Sequence, residues 1–140
     1  MSRYEDWPER LFAVVETSRS RAFAWGSHDC ALFACDCVLA ITGTDPAAWF
    51  RGRYRAKRKG YALLKRFAGG GGLSATWEKI AAAHGYAEIA PAFAGRGDIV
   101  LLDTVMGEAL GVSLGLTIAA AGPEGLEFLP LAVARRGWRI

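Results

Sequence analysis

Histidine and cysteine, on which many catalytic and metal sites depend, are scarce in this sequence. The 140 residues include 2 histidines and 3 cysteines, and the cysteines are crowded between residues 30 and 37. An odd number of clustered cysteines argues against a disulfide framework. Neither histidine stands in the spacing of a metal-binding pair, so we expect no metal and no cofactor.

Long apolar runs and targeting signals are also missing. Hydrophobic residues make up 52% of the chain, yet Asp36 interrupts the longest apolar run before it reaches the length of a membrane span. Residues 1–6 lack the apolar core of a signal peptide, and no internal repeat or low-complexity linker is present. We therefore expect one domain over residues 1–140, without a membrane span, that is synthesised in the cytoplasm.

Acidic residues are absent from residues 51–66, which are strongly basic. The eight cations of this basic stretch are Arg51, Arg53, Arg55, Lys57, Arg58, Lys59, Lys65 and Arg66. Removing these eight charges from the formal net charge of +3 leaves the rest of the chain at −5, so the charge is segregated.

Three interpretations of the basic stretch stay open. It is a solvated loop, a docking surface for an acidic partner, or a contact with an anionic polymer such as nucleic acid, which is the least favoured. For the second interpretation the candidate binding residues are Arg51, Arg53, Tyr54, Arg55, Lys57, Arg58 and Lys59. Asp36, isolated in an apolar segment, is expected to pair with one of the arginines.

The most informative residues that are present are Asp29 and Cys30. Ser27 and Asp29 are good helix N-caps, and the residues from Cys30 to Ile41 are nearly free of charge. A thiol in the first turn lies near the positive end of the helix macrodipole, which lowers its pKa and favours a nucleophilic thiolate. The alternative is that Cys30 is a small buried apolar side chain. In either case we predict that Cys30 begins the central helix and faces the sheet.

Helical patterns occupy the first part of the chain and strand patterns the last. Helices are predicted from Pro8 to Thr17, from Cys30 to a stop at Gly43, from Gly60 to Phe67, and from Ala75 to Ala83 after a Ser74 cap. Short apolar runs separated by glycines predict strands at 99–102, 111–116, 117–120 and 126–131. The pattern indicates an α+β domain in which N-terminal helices pack on a C-terminal antiparallel β-sheet.

Three motifs resemble those of the NlpC-type peptidases, which are papain-like cysteine enzymes that cut the stem peptides of peptidoglycan. They are Trp25-Gly26-x-x-Asp29-Cys30-x-x-Phe33, Gly95-Arg96-Gly97-Asp98-Ile99-Val100-Leu101 and Leu110-Gly111-Val112-Ser113-Leu114-Gly115. The resemblance implies the papain-like form of the α+β fold, with Cys30 as the nucleophile after Asp29. It also implies a catalytic histidine at the start of the strand that contains Gly111.

The chain is also similar, over nearly its whole length, to a small family from tailed phages and prophages. The further motifs are Thr42-Gly43-Thr44-Asp45-Pro46 and Arg51-Gly52-Arg53-Tyr54. Relatives of this kind look like tail-tip products, so the resemblance implies a place in the virion tail after assembly. The implied partners are other tail or baseplate proteins, and peptidoglycan is a second candidate.

The chain departs from the peptidase pattern at the histidine. Ala109 stands at that position and cannot accept a proton. His28 lies two residues before Cys30, and His84 ends a predicted helix before the sheet, so neither occupies the expected strand. We therefore predict no general base within hydrogen-bond reach of Cys30, with Ala109 across from its sulfur.

Three functions remain open. The favoured one is a catalytically degenerate tail-tip component that acts as a structural adaptor or contacts the cell wall. The second is an active peptidoglycan endopeptidase that uses Cys30 with a relocated base, for which His84 is a candidate. The third is a stand-alone bacterial binding module.

Overall fold

Four α-helices come first in the chain and are followed by the strands of one sheet. The computed structural model describes residues 2–140. The elements are α1 (Trp7–Ser18), α2 (Cys30–Thr42), α3 (Lys57–Ala68), α4 (Gly72–His84), β1 (Ala87–Ile89), β2 (Ile99–Thr104), β3 (Gly107–Ser113), β4 (Thr117–Gly122), β5 (Gly125–Pro130) and β6 (Arg136–Arg139). The predicted α+β organisation is confirmed. Within residues 2–140, no helix has both the length and the apolar character needed to cross a membrane.

The six strands form one antiparallel sheet in the order β1-β6-β2-β3-β4-β5. Leu101 on β2 lies opposite Leu110 on β3, and Leu102 lies opposite Ala109. Because side chains alternate between the faces of a sheet, these two pairs point in opposite directions. Leu101 and Leu110 belong to the main core with the helices, whereas Leu102 and Ala109 belong to a smaller apolar cluster.

Helix α2 is the central element of the main core. Seven of its 13 residues are buried: Leu32, Phe33, Ala34, Cys35, Cys37, Val38 and Ile41. The side chain of Asp29 caps its first turn, and Gly43, at a φ of 80°, ends it in the left-handed conformation that glycine adopts without steric cost. The predicted cap at Asp29 and stop at Gly43 are both confirmed.

Several element boundaries differ from the predictions. Helix α4 begins at Gly72 with Gly71 as its N-cap, so Ser74 lies inside the first turn and is not the cap. Strand β3 begins at Gly107, four residues before the predicted start, because it pairs with β2 through a tight turn after Thr104. Strand β1 was not predicted, since it has only three residues.

Candidate functional site

Cys30 lies where the sequence predicted it, at the first position of α2. The residue is partly exposed, and its side chain packs against both the main core and the smaller apolar cluster of the sheet. The backbone of Leu110 on β3 is within hydrogen-bond reach of the thiol. The predicted location at the helix start, facing the sheet, is therefore confirmed.

Of the two alternatives for Cys30, the structure favours the buried apolar side chain. Burial, with a smaller contribution from the Asp29 carboxylate, raises the pKa of Cys30 to about 11. The backbone groups of Leu110 and Ala31 favour the thiolate but do not offset the burial. Desolvation penalises the charged form more than the helix N-terminus favours it. A thiol with this pKa is roughly one part in 10⁴ ionised at pH 7.

Asp29 has a structural role at the start of α2. One oxygen, Oδ1, accepts a hydrogen bond from the Leu32 N–H at 2.9 Å, and Oδ2 accepts one from the Gly26 N–H at 3.1 Å. The Tyr54 hydroxyl also donates to Oδ2. Only 1% of Asp29 is exposed, so these three donors replace the solvent that a carboxylate requires. Its partners are the helix start and Tyr54, and none of them is an imidazole.

Gly26 allows the segment around Tyr54 to approach this helix cap. Its φ is +84°, and a Cβ atom added at Gly26 would lie 1.8 Å from the backbone oxygen of Tyr54. Any side chain at this position would therefore push the two segments apart. The glycine of the Trp-Gly-x-x-Asp-Cys motif thus has a packing explanation that does not require catalysis.

Arg51 is partly buried and is paired within the chain. Its guanidinium pairs with Asp36 at 2.8 Å and with Asp45 at 2.8 Å. Asp45 also accepts a hydrogen bond from the Ala47 N–H at 2.9 Å. The two carboxylates raise the pKa of Arg51. The expected pairing of Asp36 with an arginine is confirmed, so Arg51, a candidate binding residue, already has two acidic partners inside the chain.

Tyr54 is likewise buried, with 8% exposed. Burial and the adjacent Asp29 raise the pKa of its hydroxyl. A Cβ atom at Gly60 would lie 3.0 Å from the Tyr54 ring, so the absence of a side chain there lets α3 come close. Tyr54 is therefore poorly placed for its expected role as an exposed binding residue, because its ring and hydroxyl both make contacts within the chain.

The remaining cations of the basic stretch point to solvent. Within residues 2–140, none of them forms an ion pair. They are Arg53, Arg55, Lys57, Arg58, Lys59, Lys65 and Arg66, all of them exposed. These seven residues, called the exposed cations below, keep the positive charge that the sequence segregates.

Neither histidine forms a hydrogen bond with Cys30 within residues 2–140. His28 is buried, its ring meets Phe33 edge to face at 5.9 Å, and both ring nitrogens lack a hydrogen-bond partner. Burial and the nearby Arg21 lower the pKa of His28, so the ring is neutral at pH 7. His84 ends α4 and stacks on the ring of Tyr86 at 5.4 Å.

Ala109 lies beside Cys30, as expected for the residue across from it. Both residues line the same pocket, and Cys30 packs against the smaller apolar cluster to which Ala109 belongs. Glu108 lies on the face of the helices. Its Oε1 accepts a hydrogen bond from the Ser74 N–H at 3.4 Å, and its Oε2 pairs with Arg135 at 2.8 Å. Sequence reasoning missed Glu108, although the alternation from Leu110 would have identified its face.

An open apolar pocket lies beside Cys30, between the start of α2, helix α3 and the β2–β3 turn. Its empty space, including the part open to solvent, is about 690 Å³. Its main apolar wall residues are Phe23, Trp25, Tyr61, Leu63, Leu64 and Met106. The rings of Phe23 and Trp25 meet at 4.8 Å, and those of Trp25 and Tyr61 at 6.4 Å.

This arrangement suits binding better than covalent chemistry. The thiol of Cys30 is neutral at pH 7, and the acidic groups that line the pocket are Asp29, used as a helix cap, and Glu108, paired with Arg135. Within residues 2–140, no three His, Cys, Asp or Glu side chains are grouped to hold a metal ion. The mainly apolar walls of this pocket suit an apolar side chain or an acyl group as the bound group.

The chain belongs to the family described as "Domain of unknown function (DUF6950)", which matches residues 2–140. No curated protein and no solved structure matches the chain. The match covers nearly the whole length of the chain, and the description of the family assigns no activity.

Proposed function

We propose that this chain is a catalytically degenerate NlpC-like domain that acts by binding, as a component of a phage or prophage tail tip. The papain-like form of the fold is part of this proposal. It is supported by a central helix that begins with Asp29-Cys30 and packs on an antiparallel sheet, in the chain order that the motifs imply. In this role the domain is an adaptor between tail proteins or a contact with the cell wall.

The observation that carries the loss of catalysis is the environment of the Cys30 sulfur. A cysteine peptidase needs a thiolate and an acid that protonates the leaving amine. Here burial raises the pKa of Cys30 to about 11, and within residues 2–140 neither histidine is bonded to it. Asp29 stands where the peptidases have the aspartate before the nucleophile. Its carboxylate caps α2 by accepting from the Leu32 N–H, and it also accepts from the Tyr54 hydroxyl.

The placement in a tail tip rests on the resemblance of the Thr42–Pro46 and Arg51–Tyr54 motifs to phage proteins. The two motifs are in contact in the structure, because Asp45 of the first motif forms an ion pair with Arg51 of the second. The exposed cations fit a role in assembly with acidic tail or baseplate proteins, which would keep the domain in the virion tail.

The alternative is an active peptidoglycan endopeptidase that uses Cys30 with a base brought from elsewhere. One observation favours it: Cys30 is partly exposed and lies in the wall of a pocket that a substrate side chain could enter. His84 would have to leave its stacking contact with Tyr86 to serve as that base.

Peptidoglycan digestion separates the two functions. We expect purified wild-type protein and Cys30→Ala to release the same background amount of muropeptides at pH 7. Alkylation of Cys30 by iodoacetamide should be slow at pH 7 and rise about tenfold per pH unit towards pH 11, because it follows the thiolate fraction. Release that depends on Cys30, or fast alkylation at pH 7, would show an active enzyme. Absence of the protein from purified particles would refute the tail assignment.

A further inference from the structure

We propose that the pocket beside Cys30 is a docking site for an acidic segment of a partner protein, which inserts one bulky apolar side chain into the pocket against Trp25 and Tyr61. This inference rests on the binding role proposed above and names the chemistry of the partner. It depends on two features that lie next to each other: an apolar cavity and an uncompensated positive surface.

The cavity is built for a single large apolar group. Aromatic rings at Phe23, Trp25 and Tyr61 form one wall, with ring contacts at 4.8 Å and 6.4 Å. Tyr61 is 39% exposed, so the wall reaches the mouth of the pocket. Aromatic pairs add to the free energy of burial when rings meet edge to face or offset, which favours a phenyl or indole group as the inserted side chain.

Helix α3 joins the cavity to the positive surface. Gly60, Tyr61, Leu63 and Leu64 line the pocket, while the exposed cations stand on the rest of the helix and on the segment before it. At the mouth, the Lys57 Nζ lies 5.9 Å from the centre of the Tyr61 ring. A group that enters beside Tyr61 therefore brings its flanking atoms within reach of these cations.

The extent of the charge favours a peptide over a lipid or a small acid. Ten residues of α3, from Lys57 to Arg66, span about 15 Å at the helical rise of about 1.5 Å per residue. A single carboxylate or phosphate head needs one or two cations, whereas the five along this length, with two more just before the helix, suit a segment that carries several carboxylates. In such a segment, one apolar side chain would fill the cavity and the surrounding carboxylates would pair with the positive surface.

The opposite wall indicates how the segment lies. Glu108 contributes to the pocket, and Asp103, its neighbour across the β2–β3 hairpin, is exposed. Arg135 bridges the two carboxylates at 2.8 Å and 3.1 Å, so this wall is not positive. An acidic segment is repelled there and attracted to α3, so we expect it to run along α3 with its apolar side chain turned into the pocket.

Fluorescence anisotropy with labelled peptides tests both features. The probe is a fluorescein-labelled peptide of one phenylalanine between two runs of three glutamates. Its matched probes replace the phenylalanine by alanine or the glutamates by glutamines. We expect the first probe to bind about tenfold more tightly than either matched probe. Equal binding of the phenylalanine and alanine probes, or of the glutamate and glutamine probes, would overturn the proposal.

Paired variants of the protein locate the binding. Tyr61→Ala should weaken the phenylalanine probe about tenfold and reduce its advantage over the alanine probe, while Phe93→Ala, at a residue that is 73% exposed outside the pocket, should not. Arg58→Glu should weaken binding severalfold at low salt, and Arg96→Glu, an equally exposed cation without an ion pair, should change it less than about twofold. Equal effects within either pair would overturn the assignment to this pocket.

Two further outcomes are decisive. If no peptide binds up to about 1 mM but vesicles of anionic phospholipid do, the partner is a membrane surface and the peptide proposal fails. If neither binds, the pocket is not a docking site of this kind. Both failures leave the proposed loss of catalysis standing, because that proposal fails on different results: release of muropeptides that depends on Cys30, or fast alkylation of Cys30 at pH 7.

Discussion

The two ends of the basic stretch have similar composition, but one end is paired within the fold and the other is exposed to solvent. At residues 51–54, one arginine and the tyrosine bond to Asp29, Asp36 and Asp45 and so join the structure. Arg53 and the cations of residues 55–66, which form the outer group, stay in solvent without an ion pair to any of residues 2–140. The comparison teaches that a cation becomes part of the fold only where the chain itself supplies a carboxylate.

The largest effect on stability is expected from Arg51→Ala. The substitution leaves Asp36 and Asp45, both partly buried, without their cation. We expect the free energy of unfolding to fall by about 2–3 kcal/mol, below the range for a fully buried pair because solvent still reaches these groups. Urea denaturation measures it. Arg53→Ala, at an exposed residue, should change stability by less than about 0.5 kcal/mol, and equal losses would contradict the division between the two ends.

A smaller effect is expected from Tyr54→Phe. Removing the hydroxyl leaves Asp29 Oδ2 with one donor fewer in a buried position. The free energy of unfolding should fall by about 1.5–2 kcal/mol, the lower part of the range for a hydrogen bond to a charged group, because the Gly26 and Leu32 N–H groups still bond to Asp29. The control is Tyr61→Phe, which removes the same atom from an exposed ring. If both variants unfold at the same urea concentration, the hydroxyl of Tyr54 does not hold the helix cap.

The pH dependence of stability should show opposite signs at the two partners of Arg51. Burial alone would raise the pKa of Asp45, but bonds from Arg51 and the Ala47 N–H hold it below its ordinary value. Burial raises the pKa of Asp36, and Arg51 only partly opposes this. A lowered pKa gives stability that is present above the unfolded value and is lost as pH falls through the folded value, whereas a raised pKa does the reverse.

The expected result follows from removing each carboxylate in turn. In urea titrations between pH 5 and pH 2, Asp45→Asn should make the rise of stability with pH shallower than in the wild type. Asp36→Asn should make it steeper. Each change is below about 1.4 kcal/mol per pH unit, the limit for one group. The same slope in all three proteins would mean that Arg51 does not distinguish the two carboxylates.

What the sequence could predict depended on whether the relevant interaction is local. Asp29 caps the helix that starts one residue later, so the position of Cys30 followed from neighbouring residues. The sequence left open whether the thiol of Cys30 is activated or buried, because its burial depends on packing against a sheet that lies far along the chain.

The smallest effect on stability, and the sharpest test of the outer end, is expected from the triple variant of Arg53, Arg55 and Arg58 to glutamate. None of these side chains has an ion pair within residues 2–140, so the change should alter the free energy of unfolding by less than about 1 kcal/mol. Incorporation into tail particles, measured by mass spectrometry, should nevertheless be lost. Reversing these three charges lowers the net charge by six units on a surface that is proposed to contact an acidic partner.

Salt separates this electrostatic attraction from a structural defect. The Debye length falls from about 10 Å at 0.1 M to about 3 Å at 1 M, so assembly of the wild type from purified components should also weaken with salt. Arg96→Glu, an exposed cation away from the basic stretch, is the control and should assemble normally. Normal assembly of the triple variant would leave the outer cations as a solvated surface. Unfolding of the triple variant would mean that at least one of these three arginines also has a carboxylate partner within the chain and so stabilises the fold.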